Sequence, residues 1–183
     1  MARIIAAMNM TLDGFCDHTA MTADDEIHDH YTELLKNAGT ILYGRKTYEL
    51  MTYWQDLINK PSGNRSMDEF AAAIDNIQKI VYSRTVQEVN WRNTILKNEF
   101  TREEIIKLRQ EENENILVGS PGLILALTKL HLIDEYQLGI QPVILGNGLQ
   151  LFKNIQDRID LTLVKTKTFG CGAVFLYYTR NEK

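Results

Sequence analysis

Gly44-Arg45-Lys46-Thr47 puts a position without a side chain, two cations and a hydroxyl next to one another. These residues follow the apolar run Ile41-Leu42-Tyr43 and precede Tyr48, Met51 and Trp54 at helical spacing, so a buried strand becomes a helix there. The first N–H groups of a helix lack internal partners, and the helix dipole adds partial positive charge. Such a junction can hold an anion: Gly44 lets a ligand approach the backbone, Thr47 adds a donor, and the planar fork of Arg45 suits a phosphate. The alternative is that Arg45 and Lys46 are simply solvated, although cations at that end oppose the dipole unless an anion is present.

Two further strand ends repeat the pattern. The run Asn115-Ile116-Leu117-Val118 leads into Gly119-Ser120-Pro121-Gly122 and a helical pattern, with Ser120 placed as N-cap and Pro121 as first helical residue. A capped helix start is the alternative at that point. A third apolar run ends in Ser83 and Arg84, at the carboxyl end of a strand, where ligands of open α/β sheets gather. Three such ends suggest a dinucleotide, although neither G-x-G-x-x-G nor G-x-x-x-x-G-K-[ST] is present.

Other chemical groups carry less. Asp24 begins the stripe that runs through Ile27 and Tyr31, so its carboxylate either faces a cleft as a proton donor or caps the helix. Asp13 reads as structural. His28 and His30 lie two apart and point to different sides of a helix, so no metal site is expected. Cys16 and Cys171 have neither metal-type spacing nor a thiolate-stabilising neighbourhood, and they suit a reducing compartment, hence a cytoplasmic protein.

The elements that must position these groups follow from periodicity. Strands are expected at 3–10, 39–43, 79–83, 115–118, 135–140, 161–167 and 173–179, all as buried strands. Helices are expected at 24–38, 46–54, 67–75, 102–112 and 123–130, the fourth of them mostly polar. Thr22 with Asp25 resembles a capping box at the start of the first helix. Strand and helix alternate to about residue 135, and Gly-rich turns then join strands. The expected fold is therefore α/β, a mainly parallel sheet with helices on both faces and a late antiparallel pair, in a single domain over 1–183. A net charge of −4 provides no global attraction for nucleic acid or an anionic membrane, so an anionic ligand must be held locally. The apolar start of the chain is too short for a membrane span.

In order along the chain, AMNMTLDGF, ILYGRKTYELM, KIVYSRT, ILVGSPGLI, LIDEYQL and PVILGNGLQLF resemble motifs of the dihydrofolate reductase-like family. The group they resemble is related to the C-terminal reductase domain of bacterial riboflavin biosynthesis. The resemblance covers nearly the whole chain and implies a three-layer fold with a C-terminal antiparallel hairpin. It also implies NADPH as cofactor. Arg45 would contact the 2′-phosphate, Lys46 and Thr47 the pyrophosphate, and Ser83 and Arg84 the adenosine end. Gly119, Ser120, Pro121 and Gly122 would cradle the diphosphate, Gly14 and the Ala7 backbone would lie beside the nicotinamide, and Gly146 and Gly148 would close the cleft.

The substrate half departs from the family pattern. Ile27 stands four positions before Tyr31, where dihydrofolate reductases carry an acid, and 13–29 contains no Lys or Arg for a substrate phosphate. The implied activity is hydride transfer from NADPH to a small heterocyclic or carbonyl/imine substrate, similar to 5-amino-6-(5-phosphoribosylamino)uracil reductase or dihydrofolate reductase. The alternative is a nucleotide-binding protein without turnover that uses the same phosphate cradle. Pairing in the family and the apolar C-terminal hairpin imply a homodimer.

Overall fold

The computed structural model describes residues 2–21 and 24–181. In chain order the elements are β1 (Ile4–Thr11), α1 (Asp25–Lys36), β2 (Ala38–Gly44), α2 (Arg45–Met51), α3 (Tyr53–Asn59), α4 (Arg65–Asn76), β3 (Gln78–Tyr82), β4 (Thr94–Lys97), α5 (Arg102–Glu111), β5 (Asn115–Val118), α6 (Pro121–Lys129), β6 (Glu135–Gln141), β7 (Leu161–Thr168) and β8 (Val174–Arg180). The strands form one sheet in the order β4-β3-β2-β5-β1-β6-β8-β7. All pairs from β4 to β6 are parallel, and β8 runs antiparallel between β6 and β7.

Alternation along the central strand builds two cores. Ile4 and Ala6 of β1 pack on one face with Ile105 of α5 and Ile124 and Leu127 of α6. Ile5 packs on the other with Leu35 of α1 and Phe70 and Ile74 of α4. A strand apolar on both faces belongs at the centre of a helix-covered sheet, as β1 does. A third cluster, Ile27, Phe169, Ala173, Phe175 and Tyr177, sits where α1 crosses the β8 side. The C-terminus of α4 is closed by Lys79, which is fully buried and donates to the carbonyls of Ile74, Asp75 and Ile77 at 2.8, 3.1 and 2.9 Å.

The α/β sheet, its helices on both faces and its C-terminal antiparallel hairpin agree with the sequence expectation. Four details differ. The helix expected at 46–54 is two helices, α2 and α3, that meet at Thr52. β4, four residues paired with β3, has no counterpart among the expected strands. β7 is an exposed edge strand rather than a buried one, because its second half is Lys and Thr. The cap of α1 is Asp24, and Thr22 lies outside the described residues.

Candidate active site

The helix starts fall into two kinds. α1, α4 and α5 are closed by side chains: Asp24 Oδ1 accepts from Ile27 N at 2.9 Å, Asn64 Oδ1 from Met67 N at 3.0 Å and Thr101 Oγ1 from Glu104 N at 3.2 Å. α2, α3 and α6 have no side-chain cap; α3 follows directly from α2 through Thr52, which keeps helical angles, whereas α2 and α6 each begin at the end of a strand. Ser120 occupies the N-cap position of α6, yet its Oγ accepts from Gly44 N at 2.8 Å, across to the end of β2. That bond joins the starts of α2 and α6, and their free N–H groups remain available to an anion. Gly119 is needed for close packing, since a Cβ there would lie 3.0 Å from the Tyr43 ring, whereas a Cβ on Gly122 would meet open space.

Around this pair lie the expected cations. Arg45 and Lys46 are exposed and Thr47 is half-buried. Arg45 Nη1 donates to both carboxylate oxygens of Glu49, at 3.1 and 3.4 Å. Ser83 is committed locally, its Oγ accepting from Thr85 N and Val86 N at 3.1 and 3.0 Å, so it shapes the turn that presents Arg84. Arg84 is exposed and makes no ion pair among the described residues.

Beside the two helix starts the sheet opens. Ile116 N donates to Arg3 O at 2.8 Å, so odd-numbered residues of β1 turn their backbone groups toward β5. β5 stops at Val118, opposite Ala6, while β1 continues beside β6 to Thr11. The Ala7 carbonyl and the Asn9 backbone therefore face a gap with no strand beside them. Above it, the turn after β1 is tied to the loop after β6. The Asp13 carboxylate accepts from Thr11 Oγ1 at 2.6 Å, from Leu145 N at 3.1 Å and from Gly146 N at 2.7 Å, while Leu151 N donates to Gly14 O at 3.2 Å. The Thr11 and backbone donors hold the Asp13 carboxyl below its ordinary range. Gly14, Gly146 and Gly148 have φ of +87°, +82° and +137°, which side-chain-bearing residues rarely adopt, so these loops need them as glycines.

Register brings together a polar face that the sequence analysis missed. Asn9 lies beside Gly139, Thr11 beside Gln141 and Ala7 beside Gln137, all turned to the α1 side. A Cβ on Gly139 would stand 2.3 Å from Asn9 Oδ1 and 2.6 Å from the Phe175 ring. The signal was present in Glu135–Gln141, where Gln137, Gly139 and Gln141 alternate with apolar residues, but only the pairing with β1 shows what they face. Ile27 is buried at this face and the Tyr31 and His30 rings pack on Phe175 at 5.8 and 4.7 Å. Burial, with Lys167 and Lys165 adding to it, lowers the His30 pKa to about 4, while burial raises the Cys16 thiol to about 11 and Tyr31 above its ordinary value. Asp24 shows the capping alternative weighed above. His28 packs near Trp54 and Phe70, on another side of α1 from His30, and no cluster of three metal-ligating residues exists among the described residues.

Comparison with known proteins agrees with this architecture. The Bacillus subtilis (strain 168) protein YyaP, uncharacterised, is 36% identical over 183 residues, covering 98% of this chain and 95% of its own. A pyrimidine reductase-like protein from Corynebacterium diphtheriae superposes with a TM-score of 0.66 at 14% identity, covering 100% of this chain and 93% of its own. Dihydrofolate reductase from Enterococcus faecalis, solved with NADP(H), superposes with a TM-score of 0.64 at 14% identity, covering 98% and 97%. At those identities the likeness concerns the fold. Residues 2–175 match the RibD C-terminal domain, and the chain belongs to that reductase-type family with a dihydrofolate reductase-like fold.

Proposed function

We propose that the protein is an NADPH-dependent reductase acting on a small heterocyclic or carbonyl/imine substrate. The observation that carries this is the pair of uncapped helix starts, α2 and α6, joined by the Ser120–Gly44 bond at the carboxyl ends of β2 and β5. N–H groups from both starts would hold the pyrophosphate, with Lys46 and Thr47 at one side and Gly122 admitting the ligand backbone. Arg45 and Arg84 would reach the 2′-phosphate and the adenosine end. The open β1 edge at Ala7, with Gly14, Gly146 and Gly148 in the loops above, would receive the nicotinamide. When bound, NADPH supplies the hydride. With Asp24 engaged as the α1 cap, the accompanying proton is left to solvent. The family and both superposed structures support this assignment.

The test is a fluorescence titration with NADPH followed by turnover assays on pterins, ribosylaminouracils, aldehydes and quinones. Saturable binding with oxidation by any substrate class supports the proposal. Binding without oxidation across the panel favours a nucleotide-binding protein, and no binding refutes both. We also propose a cytoplasmic homodimer that covers the β7 edge, where Leu163 and Val164 are 50% and 59% exposed. A monomeric mass by light scattering at micromolar concentration would refute the pairing.

A further inference from the structure

Two pairs in the chain join an Asp or Asn to a following glycine, Asp13-Gly14 and Asn147-Gly148, and the fold puts them in the two loops tied to each other above β1. In such a pair the side-chain carbonyl carbon and the next backbone nitrogen are placed to close a five-membered ring. Glycine, without a Cβ, leaves that nitrogen open to approach. Whether the ring closes depends on what holds its two ends.

At Asp13-Gly14 both ends are held. The Asp13 carboxylate accepts from Thr11 Oγ1, Leu145 N and Gly146 N, and Gly14 N donates to Thr11 O at 2.9 Å. The same donors keep that carboxyl ionised, and a carboxylate resists nucleophilic attack. At Asn147-Gly148 neither end is held. Both residues are exposed, and neither the Asn147 amide nor the Gly148 N–H has a hydrogen-bond partner among the described residues. The flanks, by contrast, are fixed. Leu145 and Gly146 are bound to Asp13, Cys16 N donates to Leu149 O at 2.8 Å, and Leu151 N donates to Gly14 O at 3.2 Å. The pair is the free tip of an anchored loop. Every other asparagine is followed by a residue that carries a Cβ.

We propose that Asn147 is a site of spontaneous covalent modification, deamidating through a succinimide to aspartate and isoaspartate, and that the product unties this loop from Asp13. Gly148 N attacks Asn147 Cγ, the N–Cγ bond forms and the Cγ–Nδ2 bond breaks. The Gly148 amide proton leaves with Nδ2 as ammonia. Water then opens the ring. Cleavage of the new N–Cγ bond gives aspartate, and cleavage of the original peptide bond gives isoaspartate, with the main chain running through Cγ. Nothing is oxidised or reduced, and water is the sole co-reactant. Either product sets a carboxylate one residue from the Gly146 N–H that Asp13 holds, bringing like charges together. Isoaspartate also adds a backbone atom between anchors that are fixed on both sides.

The experiment ages the wild type and Asn147→Gln, whose longer side chain would need a slower six-membered closure, in mildly alkaline buffer. Peptide mass spectrometry follows the exchange of NH2 for OH, and labelling with an isoaspartate methyltransferase counts the rearranged product. Expected is conversion at Asn147 at least about ten-fold faster than at any other asparagine, with no product at this position in Asn147→Gln. Amide hydrogen exchange at Leu145 and Gly146 should quicken in the aged wild type and stay constant in the aged variant. The proposal is overturned if Asn147 converts no faster than the other asparagines, or if the native rate lies more than about ten-fold below that of the urea-unfolded chain, which would show that the fold protects the pair. It is also overturned if product accumulates while exchange at Leu145 and Gly146 stays unchanged. These readouts involve the chain alone, so failure of the NADPH titration leaves them standing.

Discussion

Replacing Arg45 by alanine tests cofactor choice, because NADPH differs from NADH by one phosphate on the adenosine ribose. A hydrogen bond to a charged group contributes roughly 1.5 to 3 kcal/mol. The Arg45 side chain is 44% exposed, which favours the lower end, about 1.5 to 2 kcal/mol. In the free protein its guanidinium pairs with Glu49, also exposed, and giving up an exposed i,i+4 pair costs roughly 0.3 to 0.5 kcal/mol. The remainder, about 1.0 to 1.7 kcal/mol, is roughly a five- to eighteen-fold loss of NADPH affinity in Arg45→Ala. NADH affinity should barely change. Glu49→Gln frees the guanidinium beforehand and should tighten NADPH about two-fold. Cofactor fluorescence titrations at low and high salt measure all of this, and salt should erode the wild-type preference. Equal weakening of both cofactors would mean that Arg45 serves the pyrophosphate or the fold, and an unchanged NADPH affinity would remove it from the site.

Three other perturbations address the scaffold. Lys79→Met leaves the Ile74, Asp75 and Ile77 carbonyls without their donor and should cost about 2 to 4 kcal/mol, read from urea denaturation; a loss under about 1 kcal/mol would show that the α4 end repairs itself. Gly139→Ala drives a Cβ into Asn9 Oδ1 and the Phe175 ring and should destabilise by about 1 to 3 kcal/mol, with Asn9→Ala in the same chain recovering part of the loss. His30 is held to about 4, below its ordinary 6.5, so between those values the unfolded chain takes a proton that the fold refuses. Stability should fall as pH drops through that window, and His30→Phe should flatten the slope measured by denaturation at successive pH values; an NMR titration midpoint near 6.5 would contradict the burial argument.

Strong local patterns were legible in the sequence. Ile4 to Met10, Ile41 to Tyr43 and Asn115 to Val118 gave the sheet because each is an apolar run bounded by polar or glycine residues, and Gly44 to Thr47 stood out because cations at a helix start need an explanation. β4 was hidden because Thr94–Lys97 is short and polar at both ends, and it is a strand only through its pairing with β3. The break at Thr52 was hidden because the residue keeps helical angles, φ −59° and ψ −21°, so the apolar spacing passes through it. Lys165 and Lys167 read as an ordinary strand end, while the fold carries them to the aromatic rings beside α1. Ser120 looked like a cap, and its partner proved to be a backbone N–H 76 positions away. Asn9 and Gln141 each looked like a lone polar residue on a strand. Their juxtaposition is a property of register, which one strand's pattern does not contain.

The placement of β8 between β6 and β7 has a consequence for vectorial synthesis. β6 leaves the ribosome with its outer edge unpaired, and the strand that covers it begins only at Val174. At roughly 5 to 20 residues per second, that edge waits for seconds while β7 emerges with nothing to pair to. The strands that lead to the proposed nucleotide site, β2, β3 and β5, all precede that interval. Phe175, which roofs Gly139 and Asn9, follows it. The two sides of the proposed cleft therefore mature at different times, and the nascent chain can bring the starts of α2 and α6 together before the β8 side exists.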